Sequence, residues 1–517
     1  MSVALIGVDI GTTSFKAVAF APDGTQLARV SAATPTSYPQ PDWAEFKHTA
    51  VWTTLVGILR ELVRDLGNRA TPAAIAFTGM AEAGLPLNES GEPLYPAISW
   101  FDRRVLQQLE NWQTKIGEAN TARITGLPLG PAAGILRLLW LRDHFPDLFN
   151  QTRTWLNLPD YAAFRLCGAK VTEYSLASRM MVLDLATRQW SDELLQQVEL
   201  DAGIFGELAS SAIQIGKVHQ EAADLTGLPC DLPVCTAGHD HLCAAVGLGV
   251  TDAGEIFDSI GTAEALVVSL PGLSDDPAVA ASGIAQGIHV LPQRYYAITG
   301  NAFGGGSFDW ARRLLHGGAD DRETAYDALF ESASQASAGS GGVFFLPHLR
   351  QANPPTLDPH SRGAFIGLSS GSRPKHLARA VLEGLAFEYQ RILDAVSECF
   401  GLANQRLVAT GGGTRNRLFM QIKSDVSGLP IVIPDVEEAT CLGAALAAGV
   451  GAGIFDSYED ALSQTALSEN VVEPDMEKHQ LYRERYETVF VHLYESLKAV
   501  NHNISNWVNP AHEKTKS

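Results

Sequence analysis

Residues 5–20 read LIGVDIGTTSFKAVAF: Leu5, Ile6 and Val8 form an apolar run, Asp9 adds a charge, Gly11-Thr12-Thr13 reverses the chain, and Phe15, Ala17, Val18 and Phe20 resume an apolar strand. This predicts a β-hairpin with a small, hydroxyl-rich tip. Gly11 lets backbone amides approach an anion, Thr12, Thr13 and Ser14 offer hydroxyls, and Asp9 can hold a hydrated divalent cation beside phosphate oxygens. An ordinary hairpin with a Gly-Thr turn has the same local pattern, so a second copy carries the weight. Residues 259–270, SIGTAEALVVSL, align with residues 9–20, DIGTTSFKAVAF, with Ile-Gly-Thr matched and the following apolar positions in phase. A repeat that distant predicts two related lobes, each presenting a Gly-Thr turn to one polyphosphate across a cleft.

The 517-residue chain exceeds one ordinary core, which predicts two large domains. Apolar residues at 46% and charged residues at 19% describe a soluble globular protein. A formal charge of −20 argues against nucleic acid or an anionic membrane as partner, since either would want a basic face. Positive potential for a bound polyphosphate must then be local, and Lys16, next to the first turn, is a candidate. Cys167, Cys230, Cys235, Cys243, Cys399 and Cys441 are scattered without a Cys-x-x-Cys pair, as expected of reduced cytoplasmic thiols. The N-terminus has no basic leader and Asp9 interrupts its apolar run, against a signal peptide. The longest uncharged stretch, residues 439–455, is short and rich in Gly and Ala, against a membrane span. Asn503-Ile504-Ser505 matches a glycosylation acceptor, but without secretion it is a chance match.

Along the chain, residues 49–66 show helical spacing and residues 73–77 a buried strand leading into Thr78-Gly79-Met80-Ala81-Glu82. Residues 96–104, PAISWFDRR, place Trp100, Asp102 and Arg103 together. A ring that stacks on C–H faces beside groups that hydrogen-bond hydroxyls suits a polyhydroxylated ligand, though a core Trp with an exposed ion pair has the same pattern. Residues 172–178 are expected as a polar loop. A buried strand at 232–237 runs into Gly238-His239-Asp240-His241 and then a helix at 242–248. Helix N-terminal amides would hold Asp240 ionised, as suits a general base. His239 and His241 lack the further ligands of a zinc site and are expected to bond substrate hydroxyls or support the turn. Residues 251–254 form the seam between lobes. A strand at 406–410 enters Gly411-Gly412-Gly413-Thr414-Arg415-Asn416, where glycines and a helix N-terminus can approach a base or phosphate. A helix packed from small residues at 437–451, a terminal helix at 482–497 and a loose polar tail complete the chain.

In this order the motifs resemble the FGGY carbohydrate kinases of the actin and heat-shock chaperone ATPase superfamily. DIGTTSFKA looks like the first phosphate motif, GMAEAG with PAISWFDRR the substrate segment, and LPDYAAFRLCG with TEYSLAS a helix and loop of the first domain. AGHDHLCAAVG looks like the catalytic-base segment and SIGTAEAL the second phosphate motif. GAFIGLSSGSRPKHLARAVLE fits the C-terminal signature, and GGGTRNRLFMQIKSD looks like the adenosine segment.

The resemblance implies an α/β fold of two ribonuclease-H-like, actin-like ATPase domains, with mixed sheets flanked by helices and a cleft between them. Residues 1–252 would carry the sugar and the catalytic base, residues 253–500 the nucleotide, and residues 501–517 a flexible tail. It implies ATP and Mg²⁺, with Asp240 as general base, Asp9 as the metal-associated carboxylate and Thr12, Thr13 and Thr262 on phosphates beside Gly11, Lys16 and Gly261. Gly411, Gly412 and Asn416 would bind the nucleoside, and Glu82, Trp100, Asp102, Asp240 and His241 the substrate, a small sugar or polyol. Members often form dimers, so a homodimer is a further expectation. Met80-Ala81-Glu82 departs from the Gln-Met-His of xylulokinases, and of the Gln-Arg-Glu of glycerol kinases it keeps only Glu. Two other classes share the core: an actin- or chaperone-like ATPase without a sugar substrate, and a sugar-binding regulator that has lost catalysis. Glu82, Trp100, Asp102 and Asp240 favour hydroxyl recognition over the first, and intact Asp9 and Asp240 favour catalysis over the second.

Overall fold

The computed structural model describes residues 2–316, 322–403 and 406–508. The strands of the first large sheet are β1 (Val3–Ile10), β2 (Ser14–Phe20), β3 (Gln26–Ala33), β4 (Thr71–Gly79), β5 (Gln214–Lys217) and β6 (Pro233–His239). Their order is β3-β2-β1-β4-β6-β5. The β1–β2 hairpin and β3 are antiparallel, β1, β4 and β6 are parallel, and β5 is antiparallel. The second large sheet holds β7 (Glu255–Ile260), β8 (Glu264–Leu270), β9 (Ala285–Ile288), β10 (Tyr295–Asn301), β11 (Arg406–Thr410), β12 (Ile431–Pro434) and β13 (Glu469–Val472), in the order β9-β10-β8-β7-β11-β12-β13. With β9 set aside at the edge, directions repeat the first sheet strand for strand.

Helix α1 (His48–Leu66) covers the first sheet. Its apolar stripe, Val51, Leu55, Ile58, Leu59 and Leu62, follows the helical period and is buried, and the chain turns away at Gly67 with φ 53°. Helix α2 (Leu158–Cys167) packs on the same sheet. The segment between β4 and β5 adds a smaller sheet that includes Gly84–Leu87, Ala97–Ile98 and Thr154–Asn157. Its separate core is built around Trp112, Trp140 and Trp155.

The halves meet through two helices, α3 (Asp240–Gly247), which follows β6, and, after α4 (Gly304–His316), α5 (Pro374–Phe400) and α6 (Arg417–Ser427), α7 (Ala439–Gly451), which follows β12. Small residues make the crossing possible. A Cβ on Gly443 would stand 1.8 Å from the Cys243 carbonyl oxygen, one on Gly247 2.3 Å from that of Ala439, and one on Gly7 1.8 Å from that of Cys441. One apolar cluster therefore joins Leu5 and Val18 of the first sheet, Phe257 and Val408 of the second, and Ala445 of α7. The Gly/Ala-rich stretch at 439–455 serves this crossing, and among the described residues no helix is long and apolar enough to cross a membrane.

Three sequence expectations are corrected. Residues 172–178 are not a loop: Val171–Glu173 is a strand and Tyr174–Ala177 a helical turn, because Glu173 turns inward and accepts from the Ser175 and Leu176 amides. The terminal helix at 482–497 is instead Met476–Arg485, a π-turn at Tyr486–Phe490, and Val491–Val508. That last helix takes in residues 501–508 of the expected tail and buries Asn501 and Ser505, while residues 509–517 lie outside the described residues.

Candidate active site

Parallel strands deliver side chains to one edge. Asp9 of β1 lies opposite Thr78 of β4, which lies opposite Gly238 of β6, and one step on Ile10, Gly79 and His239 are neighbours. The residues that follow these ends, Gly11-Thr12-Thr13, Met80-Ala81-Glu82 and Asp240, emerge side by side at the carboxyl edge, where α/β sheets receive ligands. The first loop is tightly made. The Gly11 amide donates to Ser14 O at 3.2 Å, and Thr34 Oγ1 donates to Gly11 O at 2.7 Å. Trp100, 40% exposed, donates from Nε1 to Thr12 Oγ1 at 3.1 Å, joining the expected substrate segment to the expected phosphate loop.

Asp240 opens α3, and its Oδ1 accepts from the His241 amide at 2.7 Å and lies 3.3 Å from His239 Nε2. The expected N-terminal amide is present, yet burial outweighs it. With Glu82 adding repulsion, the Asp240 carboxyl is pushed up to about 7. Asp9 is raised to about 8, by burial first and then by Asp240. Burial pulls His241 down to about 4 and His239 well below its usual range, so both imidazoles are neutral near pH 7.

Glu82 is buried and accepts from Arg179 Nε at 2.7 Å. Arg179 stands one residue beyond the TEYSLAS motif. Asp102 does not line the cleft: its side chain is fully buried. Its Oδ1 accepts from Arg104 N and Nε, both at 2.9 Å, and its Oδ2 from Ala44 N at 2.6 Å and Arg104 Nη2 at 2.8 Å. The expected substrate contact is thus a brace behind Trp100. Arg137, also missed in the sequence, is fully buried and donates to the carbonyls of Ser99, Trp100, Pro131, Ala132 and Ala133, holding the same segment from below. Lys16 is engaged by Glu438 Oε2 at 2.7 Å, just before α7, so its charge links the halves.

In the second half, β7 and β11 run parallel with Ser259 opposite Thr410, which sets Gly261-Thr262 beside Gly411. A Cβ on Gly305 would stand 2.0 Å from Gly261 O, and the Gly306 amide donates to Thr262 O at 2.9 Å, so glycines at the start of α4 close onto the loop. Gly411, at φ 94°, backs against Ile260 O, where a Cβ would approach to 2.6 Å. Asn416 caps α6 by accepting from the Phe419 amide at 2.7 Å. These segments line a cavity of about 610 Å³ that holds Gly261, Thr262, Gly412, Gly413 and Asn416 together. Phe308 and Phe330, edge-to-face at 5.6 Å, add an aromatic wall that no motif announced.

Known proteins resemble this chain over most of its length. The N-terminal domain pattern of the FGGY family of carbohydrate kinases matches residues 4–247 and its C-terminal domain pattern residues 259–452. A glycerol kinase of Geobacter sp. (strain M21) is 32% identical over 92% of this chain and 95% of its own length. A xylulose kinase of Escherichia coli (strain K12) is 30% identical over 95% of this chain and 99% of its own. The crystal structure of xylulose kinase from Rhodospirillum rubrum superposes with a TM-score of 0.88 at 29% identity, over 96% of this chain and 100% of that one. The chain belongs to the FGGY family of carbohydrate kinases, phosphotransferases with an alcohol group as acceptor.

Proposed function

We propose that the enzyme transfers the γ-phosphoryl group of ATP to a primary hydroxyl of a small neutral ketose or polyol, with Asp240 as general base. The observation that carries this is the place of Asp240: it opens α3 at the carboxyl edge of the first sheet, where the ends of β1, β4 and β6 also bring Gly11-Thr12-Thr13 and Glu82, and burial with Glu82 nearby raises its carboxyl to about 7. A base is most effective when its pKa lies near the working pH. Neutral His241 and the Glu82–Arg179 pair supply donors and acceptors for hydroxyls, and the exposed Trp100 ring supplies a face for C–H groups.

Asp240 takes the proton of the acceptor hydroxyl as its oxygen attacks the γ-phosphorus in line and the bond to the bridging oxygen of ADP breaks. Thr12, Thr13 and Thr262, with the amides of their loops, donate to phosphate oxygens, and the cavity beside Gly261 and Gly412 takes the nucleoside. Mg²⁺ fits this site: Asp9 Oδ1 is buried without a hydrogen-bond partner and the Asp9 carboxyl is raised beside Asp240. Among the described residues no cluster of three or more His, Cys, Asp and Glu is arranged to hold a metal, which suits an ion that keeps waters and binds through one or two carboxylates and phosphates. When bound, Mg²⁺ supplies charge that offsets the phosphate oxygens. A cytoplasmic, reduced setting fits the unpaired cysteines.

Asp240→Asn is expected to lower kcat by roughly 10²- to 10⁴-fold while ADP still binds. In the wild type, kcat/KM should rise with pH through a limb near 7. Undiminished turnover in the variant rejects the assignment. The acceptor is identified by ADP release over ketopentoses, ketohexoses, aldonates and short polyols, and ATP turnover independent of any sugar would favour the conformational ATPase instead.

A further inference from the structure

Beneath the second Gly-Thr loop lies a buried charge cluster. Lys423, on α6, is fully buried, and its ammonium donates to Asp258 Oδ2 and to Glu264 Oε1, which are themselves buried. It also sits 3.6 Å from the centroid of the Tyr389 ring. Removing these charges from water costs several kcal/mol per ion, and well-packed apolar residues commonly serve packing as well or better. The position of the partners gives the cluster another use. Asp258 lies on β7 just before Ile260-Gly261, and Glu264, the first residue of β8, is paired with Ile260 across the hairpin. One ammonium thus grips both strands that carry Gly261 and Thr262. Asp258 stays above its usual range, because burial outweighs the attraction of Lys423. A single cation thus joins two acids that sit on the facing strands of the hairpin.

The other end of α6 completes the connection. The helix begins at Arg417, capped by Asn416, and Asn416, Gly412 and Gly413 line the cavity assigned above to the nucleoside. We infer that Lys423 is a positioning residue for the second phosphate loop, fixing Gly261-Thr262 relative to the nucleoside end of the cavity by gripping Asp258 and Glu264. The inference rests on reading that cavity as the nucleotide site. Lys423 acts through the two carboxylates and touches no ligand, so its signature is selective. It governs what the phosphates add to binding and leaves the nucleoside's own share alone.

Calorimetric titration of adenosine and of ADP into the full chain separates the two shares. The wild type should bind ADP more tightly than adenosine. Lys423→Met should shrink that advantage by about tenfold or more with adenosine binding unchanged, the scale of losing one hydrogen bond to a charged group. Lys423→Arg should retain most of the advantage. Because Lys423→Met leaves a bare buried carboxylate pair, Lys423→Met with Glu264→Gln provides a folded form in which the same loss is expected. Equal weakening of adenosine and ADP, or full retention of the ADP advantage in the double variant, overturns the inference while leaving the nucleotide cavity intact. A wild type that binds neither ligand overturns the cavity assignment and the inference with it.

Discussion

The two halves share one scaffold but set different side chains on it. Each sheet runs antiparallel, antiparallel, parallel, parallel, antiparallel through six corresponding strands, the second having β9 as an extra edge. In each, the strand beside the Gly-Thr loop ends in Thr-Gly, Thr78-Gly79 and Thr410-Gly411, and that glycine backs onto the isoleucine carbonyl before the loop. A Cβ would approach to 2.5 Å from Ile10 O in one half and 2.6 Å from Ile260 O in the other. The acids differ. Asp9 corresponds to Ser259, and Asp240, which opens α3, corresponds to Ala439, which opens α7. Both halves carry a Gly-Thr loop at the corresponding place, while the carboxylates proposed to meet a cation and a proton, Asp9 and Asp240, have no acidic counterpart at Ser259 and Ala439.

Exchanging that asymmetry should give the largest effect. Asp9→Asn is expected to lower kcat by about 10²-fold or more at saturating sugar and MgATP, the scale of losing one preorganised electrostatic group. Ser259→Ala, the corresponding position, should change kcat by no more than about twofold, as is usual where no such group is removed. Comparable losses in steady-state assays of the two variants would mean that the halves share the chemistry after all.

How much of this contrast could be read from the chain depends on how local the cause is. Turn chemistry is local, so Ile10-Gly11-Thr12 and Ile260-Gly261-Thr262 announced both loops before any fold was known. The place of Asp240 at the start of α3 was legible because a strand, a short polar run and a helix follow one another there. Asp102 misled because spacing places it near Trp100 without saying which way it faces, and Arg104, two residues on, takes both its oxygens. Arg179 had no local signal: Glu82 is 97 residues away, and only the fold brings them together. Lys423 follows Ile422 with nothing local to mark it, and its partners lie on the two strands of a hairpin more than 150 residues earlier. Residues 172–178 looked like a loop because their composition is polar, and their burial follows from Glu173 capping the next turn.

The halves should also respond differently to pH. In the first, burial lifts Asp9 and Glu173 to about 8, Asp240 to about 7, and Asp160 above its range; in the second, among the described residues, Asp258 is the one carboxyl lifted in this way, with Lys423 against it. A carboxyl raised from 3.8 to 7 or 8 holds its proton in the folded chain and not in the unfolded one, so stability is present at low pH and lost as pH climbs through that window. One full proton corresponds to about 1.4 kcal/mol per pH unit. Above about pH 6.5, beyond the range in which the neutral, buried His239 and His241 contribute the opposite slope, denaturant unfolding of the ligand-free protein should therefore show stability falling toward pH 8, with the slope reduced by up to about one proton in Asp9→Asn. An unchanged slope in that variant would remove Asp9 from the group.

The smallest expected effect concerns what covers each loop. Thr262 is exposed and is held through its carbonyl by the Gly306 amide, whereas Thr12 receives a side-chain bond from Trp100 Nε1 at 3.1 Å. Trp100→Phe keeps an aromatic face for a sugar and removes only that donor. A single neutral hydrogen bond is worth about 1 kcal/mol net, which amounts to a few-fold in kcat/KM. Because the bond spans from the sugar side to the first phosphate loop, the loss should appear in kcat/KM for both substrates rather than in the KM of the sugar alone. If the sugar KM rises and the ATP terms stay fixed, Trp100 serves the sugar only, and the first loop is held from outside by the Thr34 hydroxyl on Gly11 O instead.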